Sequence, residues 1–414
     1  MIGSMGTLRH VAFFEELGQC DDAQERWREV TAGLVVLRLV DAWLQQGSRS
    51  VTGDGWSMAA ARAAVSDISH GAPVRAILDS VLSVLTDSSR VDMHALTPRL
   101  LAYGQTLEYG SAWTLAADVY TTVIEHTDPV EDSDSAIAAH TRLGFCLRTS
   151  GDVEGASNAY EMAGDVAAAA NDMMGVLRSR IGGAKVAIIR GNLPKAEAIL
   201  DETIDAAAEQ GFRAVESMAL HDRSLTAGLR GDYELAIKLA YRALSCADAE
   251  RERDRLLHDI ATSFYRVGIK SAARDAYTIL SSTSQEQYLR WASTIQLMAI
   301  AADDEMGTLF ERYRRDLEAR VLPPVLRADF ELSAGRGYRR FGQFDEAQVW
   351  LDRALGSAQK HGLNQLSFEV DEELSLVTAG QRAAQREAVR CESVELTEIA
   401  CAIKSMRETA GVGS

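Results

Sequence analysis

His221 and His258 stand 37 residues apart, and each is followed by an aspartate, Asp222 and Asp259. Imidazole titrates near neutrality and ligates metals, so a repeated His-Asp dipeptide offers either a pH-sensitive pair or the start of a metal site. Two histidines without a third ligand make a weak metal site. The plainer reading is a surface histidine satisfied by its neighbouring carboxylate. Gly335-Arg336-Gly337 and Gly182-Gly183 have the composition of a phosphate loop. Neither follows a strand pattern, and both lie where small residues already have a packing role, so nucleotide binding is not expected. Carboxylates abound, yet none pairs with an identifiable nucleophile or metal triad. The run Arg312-Tyr313-Arg314-Arg315 is interleaved with Glu311 and Asp316 and reads as a charged helix face. No catalytic residue, metal or cofactor is expected.

What must position these residues is a repeat. Ala116, Ala156, Ala196 and Ala236 follow one another at 40-residue steps, Ala273 comes 37 later, and Ala347 two further steps of 37 beyond. Periods of roughly 20–50 residues mark stacked repeat arrays. Around Ala156 lie Gly144 twelve before, Gly151 five before, and Tyr160 and Ala163 four and seven after. Matching windows give Gly104, Trp113 and Tyr120; Ser224, Gly231, Tyr233 and Ala240; and Gly335, Gly342, Phe344 and Leu351. Small residues twelve apart with a glycine between them suit two antiparallel helices crossing closely. The glycine ends the first helix in a left-handed conformation. Gly151-Asp152, Gly191-Asn192 and Gly231-Asp232 then supply turn and helix cap together.

This pattern resembles the tetratricopeptide repeat family over about residues 93–360. The resemblance implies an all-α fold: a right-handed α-α superhelix, or solenoid, of antiparallel helix pairs. The period of 37–40 exceeds the family's usual 34, so helices or loops are longer. The slot 37 after Ala273 carries the bulky Phe310, so that unit is expected to pack at a wider spacing and to be able to bend the array.

The resemblance also implies that the first helix of each pair lines a concave groove. Positions spaced i, i+3, i+7 and i+10 share one helix face. The strip so obtained is Ala138, Thr141, Phe145 and Arg148; Arg178, Ile181, Lys185 and Ile188; Met218, His221, Leu225 and Gly228; Arg255, His258, Thr262 and Tyr265; and Asp329, Leu332, Arg336 and Arg339. Arg142, Arg266 and Arg340 lie beside it. The strip reads as cationic, whereas the second helices carry Glu154, Glu161, Asp165, Glu197, Asp201, Asp205 and Glu209. Such segregation would focus an attractive potential for an acidic ligand, and arginine suits bidentate capture of carboxylates. Arg148, Arg178, Lys185, Arg255, Arg336 and Arg339, with His221, His258, Phe145 and Tyr265, are therefore the candidate partner-binding residues. The alternative is a set of solvated arginines neutralised by neighbours such as Asp222 and Asp259. The family's carboxylate clamp for peptide C-termini needs a set of lysines and asparagines that is not found here.

Composition narrows the rest. A chain of 414 residues exceeds one compact core, and only six prolines suit long helices. The most apolar segment, Leu34 to Leu44, contains Arg38 and Asp41, so no membrane span is expected. No signal peptide is read in the first residues, because Glu15 and Glu16 interrupt the needed apolar run. Five scattered cysteines (Cys20, Cys146, Cys246, Cys391, Cys401) read as buried reduced thiols and a cytoplasmic location. A net charge of −17 argues against nucleic acid.

The expected organisation is an N-terminal helical region over 1–92, an array of about seven pairs over 93–360 with the degenerate one near 286–320, and a C-terminal helical cap and tail over 361–414. The first region should hold helices near 7–18, 21–46, 57–69 and 73–86, with an exposed loop from Gly47 to Ser57. Ala23, Trp27 and Val30 echo a second helix. The apolar Leu34–Leu44 segment is expected to pack within the chain or against a second copy. The leading functional expectation is a non-enzymatic scaffold or adaptor holding a partner peptide or helix, acidic in character. The alternative is a ligand- or peptide-responsive sensor, although residues 1–92 carry no helix-turn-helix or basic surface.

Overall fold

The computed structural model describes residues 9–21, 24–46, 57–87, 93–381 and 393–412. Ala23, the stretch 47–56 with Gly53-Asp54-Gly55, Cys391 and the polar segment 382–392 lie outside the described residues. All regular structure among the described residues is helical. The chain packs as two units, Met1–Gln210 and Gly211–Ser414.

The first unit opens with α1 (Val11–Gln19), α2 (Glu25–Gln46), α3 (Met58–Ser66) and α4 (Pro73–Asp87). Three helix pairs follow: α5 (Met93–Tyr109) with α6 (Trp113–His126), α7 (Ser133–Ser150) with α8 (Val153–Ala169), and α9 (Met173–Ile189) with α10 (Leu193–Gln210). The second unit contains α11 (Arg213–Leu229) with α12 (Tyr233–Cys246), α13 (Glu250–Arg266) with α14 (Lys270–Thr283), α15 (Gln287–Asp303) with α16 (Gly307–Glu318), and α17 (Pro324–Arg340) with α18 (Phe344–Lys360). It ends with α19 (Asn364–Thr378) and α20 (Val394–Thr409). Seven helix pairs, α5 to α18, thus lie within residues 93–360.

Three of the helix breaks are built by glycines that the sequence marks. Gly151, Gly191 and Gly231 have φ of 96°, 72° and 81°, and the amide of Asp152 closes back on the Leu147 carbonyl at 2.8 Å. This wraps the last carbonyls of α7. The Asp152 carboxylate then accepts from the Gly155 amide at 2.8 Å, and Asp232 accepts from Leu235 at 3.1 Å, so one dipeptide ends a helix and starts the next.

The repeating alanines Ala116, Ala156, Ala196, Ala236, Ala273 and Ala347 are all buried. The large residue four positions on fills the space that the small residue leaves. A Cβ on Gly104 would lie 2.5 Å from Tyr120, one on Gly144 2.8 Å from Tyr160, and one on Gly335 2.6 Å from Leu351. Tyr160 also fills the hollow over Gly182 of the next first helix, where a Cβ would come within 2.2 Å. The tyrosine therefore locks its own pair as well as bridging to the next. Within each unit, first helices of successive pairs touch: α5 with α7, α7 with α9, α13 with α15, and α17 with α19.

Four features bear on the sequence-based expectations. At the Phe310 unit α15 packs directly on α17, whereas α16 touches α17 little. Phe310 is too large for the alanine slot. Its ring sits over Gly337, where a Cβ would be 2.2 Å away, edge-on to Tyr338 and Phe341. The last helix, α20, packs on α14 and α12. Leu396, Ile399 and Ile403 form its buried side, and Arg407 reaches Asp275 at 2.7 Å across 132 positions. The Leu34–Leu44 segment is taken up inside the first unit, with Leu34, Val36, Leu37, Leu39 and Val40 in its core. Of the four described thiols, all free, Cys146 and Cys246 are buried but Cys401 is exposed. No helix among the described residues is long and apolar enough to cross a membrane.

Candidate functional site

In the first unit, the Arg148 guanidinium lies over the Phe145 ring at 5.4 Å, and that ring stands edge-on to Trp113 at 5.5 Å. Trp113 opens α6, so the preceding pair props up the aromatic platform. Burial leaves the Arg148 Nε without a hydrogen-bond partner. On α9 the Arg178 side chain is exposed and Lys185 is half-buried, whereas Ile181 is buried. Arg142 is committed elsewhere: it donates to Glu108 at 2.9 Å, and the Tyr120 hydroxyl donates to the same carboxyl group at 2.5 Å. Burial, with Glu108 nearby, pushes the Cys146 thiol up to about 12, which makes it an inert core group.

The second unit carries the opposite balance. His221 and Asp259 are joined at 2.7 Å between α11 and α13, and His258 Nδ1 lies 3.8 Å from the other Asp259 oxygen. Burial opposes the Asp259 charge, but the two imidazoles outweigh it and hold the carboxyl down at about 2. His221 is thus served by the aspartate one repeat on, not by adjacent Asp222. Tyr265 donates to Asp303 at 2.8 Å. Arg336 donates to Glu373 at 3.0 Å and to Glu369 at 3.1 Å, while Arg339 donates to the second Glu373 oxygen at 2.8 Å. Arg255 donates to Glu286 at 3.1 Å, and Arg251 pairs with the same group. Leu332 and Arg339 are buried rather than facing an open groove, because α15 lies against α17 and Glu373 draws Arg339 toward α19.

These cations are therefore matched by carboxylates from neighbouring helices. Asp303, Glu369, Glu373 and Glu286 were missed in the sequence reading, which inspected one helix at a time. The signal was present in the repeat interval: Glu373 follows Arg336 by 37, Asp303 follows Tyr265 by 38, and Asp259 follows His221 by 38. Beside His221, α11 exposes Met218, Leu225 and Leu229, an apolar margin to an otherwise polar face. Gly335 and Gly337 receive Leu351 and Phe310, so their small size is a packing feature. Arg314 pairs with Glu311 and Glu318 along its own helix. Among the described residues no group of three or more His, Cys, Asp and Glu side chains is placed to hold a metal ion.

No protein-family model matches the chain, and no curated protein matches it. Among solved structures it is similar to the Rap conjugation gene regulator of the plasmid pLS20, at 14% identity and a TM-score of 0.48, over 88% of this chain and 99% of that one. It is similar to a Rap protein complexed with competence and sporulation factor, at 10% identity and a TM-score of 0.46, over 85% and 98%. It is also similar to a tetratricopeptide repeat protein from Parabacteroides merdae, at 13% identity and a TM-score of 0.44, over 68% and 98%. At these levels the likeness says nothing about ligands. By its own packing, with small residues buried at the repeat interval and paired helices stacked on their first-helix side, the chain is an all-α, tetratricopeptide-like helical repeat protein.

Proposed function

We propose that this chain is a non-catalytic binding module whose first-helix faces hold a segment of a protein or peptide partner. In the first unit the segment is acidic. One observation carries this reading: the Arg148 guanidinium lies over the Phe145 ring, 5.4 Å from its centroid. An arginine already ordered on an aromatic ring loses less freedom on meeting a carboxylate. Arg178 and Lys185 extend the positive character along the neighbouring helix, and the strip from Arg178 to Ile188 spans about 15 Å, enough for four or five extended residues. The factor bound to one of the Rap structures belongs to that protein. The binding reading here stands on the face itself, and a sensor that responds to such a segment would use the same residues.

The test is an array of synthetic decapeptides of random composition, probed with the intact chain and with an Arg148→Glu, Arg178→Glu double variant. Wild type should retain peptides enriched in Asp and Glu, and the charge reversal should abolish that enrichment. An unchanged pattern in the variant, or retention with no preference for acidic residues, would overturn the assignment of this face.

A further inference from the structure

Within the first unit, α8 and α10 both pack on α9, and the three helices enclose a hollow of about 570 Å³. That size lies within the range of small-ligand clefts, roughly 300–1,000 Å³. Each helix lends the hollow one stripe of side chains at helical spacing. α9 supplies Arg180, Gly183, Ala187 and Arg190, the side turned away from Arg178 and Lys185. α10 supplies Lys195, Ile199 and Glu202, and α8 supplies Ser157, Tyr160 and Glu161. The floor is open, because a Cβ on Gly183 would meet nothing within 4 Å. Val186, Ala187 and Ile199 make it apolar.

The rim carries both charge signs, and they are unequally committed. α9 and α10 run antiparallel from the Gly191 turn, so Arg190 and Lys195 stand at one end and Arg180 and Glu202 at the other. Arg190 is engaged by Glu154, and Glu161 accepts from the Ser157 hydroxyl at 3.4 Å. The Lys195 ammonium, the Arg180 guanidinium and the Glu202 carboxylate make no hydrogen bond or ion pair among the described residues. Lys195 and Glu202 lie seven positions apart on one face of α10 with Ile199 between them, about 10 Å along the helix axis.

We propose that this hollow binds a small zwitterion, an apolar body with a carboxylate that meets Lys195 and an ammonium that meets Glu202. A ligand of one sign would leave the uncommitted rim group of that same sign facing it, whereas a ligand of both signs matches each end. Arg180 shares the far end but forms no ion pair with Glu202, so that carboxylate keeps its capacity for an ammonium. Charge-assisted hydrogen bonds at the two ends fix the ligand's direction, and Val186, Ala187 and Ile199 cover its middle. None of the lining residues belongs to the first-helix strip, so the inference stands apart from the binding-module reading. An aliphatic ω-amino acid and a tripeptide with free ends, about 10 Å when extended, offer the same chemistry.

The test uses the full chain and titration calorimetry at matched ionic strength. ω-Aminooctanoate is compared with octanoate, octylamine and octanol, which carry the anion, the cation and neither charge. Alanyl-leucyl-alanine is compared with its acetylated, amidated and doubly blocked forms. At least one zwitterion should bind about tenfold more tightly than each of its blocked counterparts, and which one binds distinguishes an aliphatic body from a peptide. Lys195→Gln and Glu202→Gln should each weaken that binding about tenfold. Both side chains are exposed, so the fold should hold, as far-ultraviolet circular dichroism can verify. Gly183→Leu, which fills the open floor, should abolish binding. No binding of either zwitterion, equal binding of a singly charged form, or wild-type affinity in any of these three variants would each overturn the proposal. The Arg148→Glu, Arg178→Glu variant should bind the zwitterion as wild type does, and a loss there would place the site on the other side of α9. Failure of the acidic-peptide array therefore leaves this result separately readable.

Discussion

His10 Nδ1 lies 2.6 Å from the Asp118 carboxylate, which ties the residue ahead of α1 to the middle of α6 across 108 positions. The opposite ring nitrogen is 3.1 Å from Asp41, which Arg9 also contacts at 2.7 Å and His126 approaches at 3.5 Å. His10 itself adopts a left-handed conformation with φ of 57°, so the charges fix an entry angle that an L-residue otherwise avoids. Burial disfavours the protonated ring, but hydrogen bonds to Asp118 and Asp41 outweigh it and the pKa is raised. Burial likewise opposes the Asp41 charge, and His10 and His126 overcome it, so that pKa is lowered.

The pH dependence of α1 docking follows from these directions. A raised histidine contributes stability that is complete below its unfolded value of 6.5 and is lost as pH rises through the folded value. The lowered Asp41 contributes above 3.8, and that part is lost as pH falls through the folded value. Amide exchange in α1, corrected for intrinsic rates, should therefore be slowest between these limits and should quicken as pH rises above 6.5 through the raised folded value of His10. His10→Gln should remove the alkaline part of the profile. Protection that increases toward alkaline pH, or a profile unchanged by the substitution, would contradict the buried charge network.

Two adjacent glycines in α9 should respond oppositely to the same substitution. A Cβ on Gly182 would lie 2.2 Å from the Tyr160 ring, whereas a Cβ on Gly183 would meet nothing within 4 Å. Gly182→Ala is expected to cost about 1–3 kcal/mol through overpacking. Gly183→Ala should stabilise by about 1 kcal/mol through helix propensity alone. Denaturant midpoints of the two variants check this, and a Tyr160→Leu background should shrink the first penalty because the two residues share one contact.

Why the array was legible and the binding face only partly so can be seen in these residues. Glycine at 151, 191 and 231 and alanine at the repeat interval are demanded by backbone conformation and by close helix crossing. Such demands act locally and leave a fixed spacing in the sequence. Arg148 and Phe145 stand three positions apart on one helix face, a spacing visible in the sequence itself. The pairing of Arg336 with Glu373 depends on a helix packed alongside, and charge counted on a single helix misses it. The seat of α20 on α12 and α14 has no periodic signature, since Leu396, Ile399 and Ile403 look like the apolar stripe of any terminal cap.

That seat gives a third expectation. α20 covers two second helices that do not otherwise pack closely, with Glu395 on Lys238 at 2.7 Å near one end and Arg407 on buried Asp275 at the other. Ile403 is fully buried, so Ile403→Asp places a charge in an apolar contact and should release the helix. Hydrogen exchange should show protection lost throughout α20, while α17–α19 keep theirs. Uniform loss across the second unit would instead make α20 part of a single cooperative core.

The last expectation concerns Glu373, which holds two arginines at once. Its carboxylate accepts from Arg336 and from Arg339, and Arg339 is 7% exposed. Removing the carboxylate leaves a nearly buried guanidinium short of an acceptor, a loss that exceeds the gain from forming an exposed ion pair. Glu373→Ala should cost about 2 kcal/mol, whereas Glu369→Ala, which removes a half-exposed partner of Arg336 alone, should cost under about 1 kcal/mol. The effect should be local. Because Glu373 fastens α19 to α17, amide protection in α19 should fall first, and that of α11 and α12 should not move. Added salt should weaken the Glu369 contribution more than the Glu373 one, because screening acts chiefly on exposed charges. Equal costs for the two alanine variants, or equal sensitivity to salt, would show that burial of Arg339 does not set the strength of this brace.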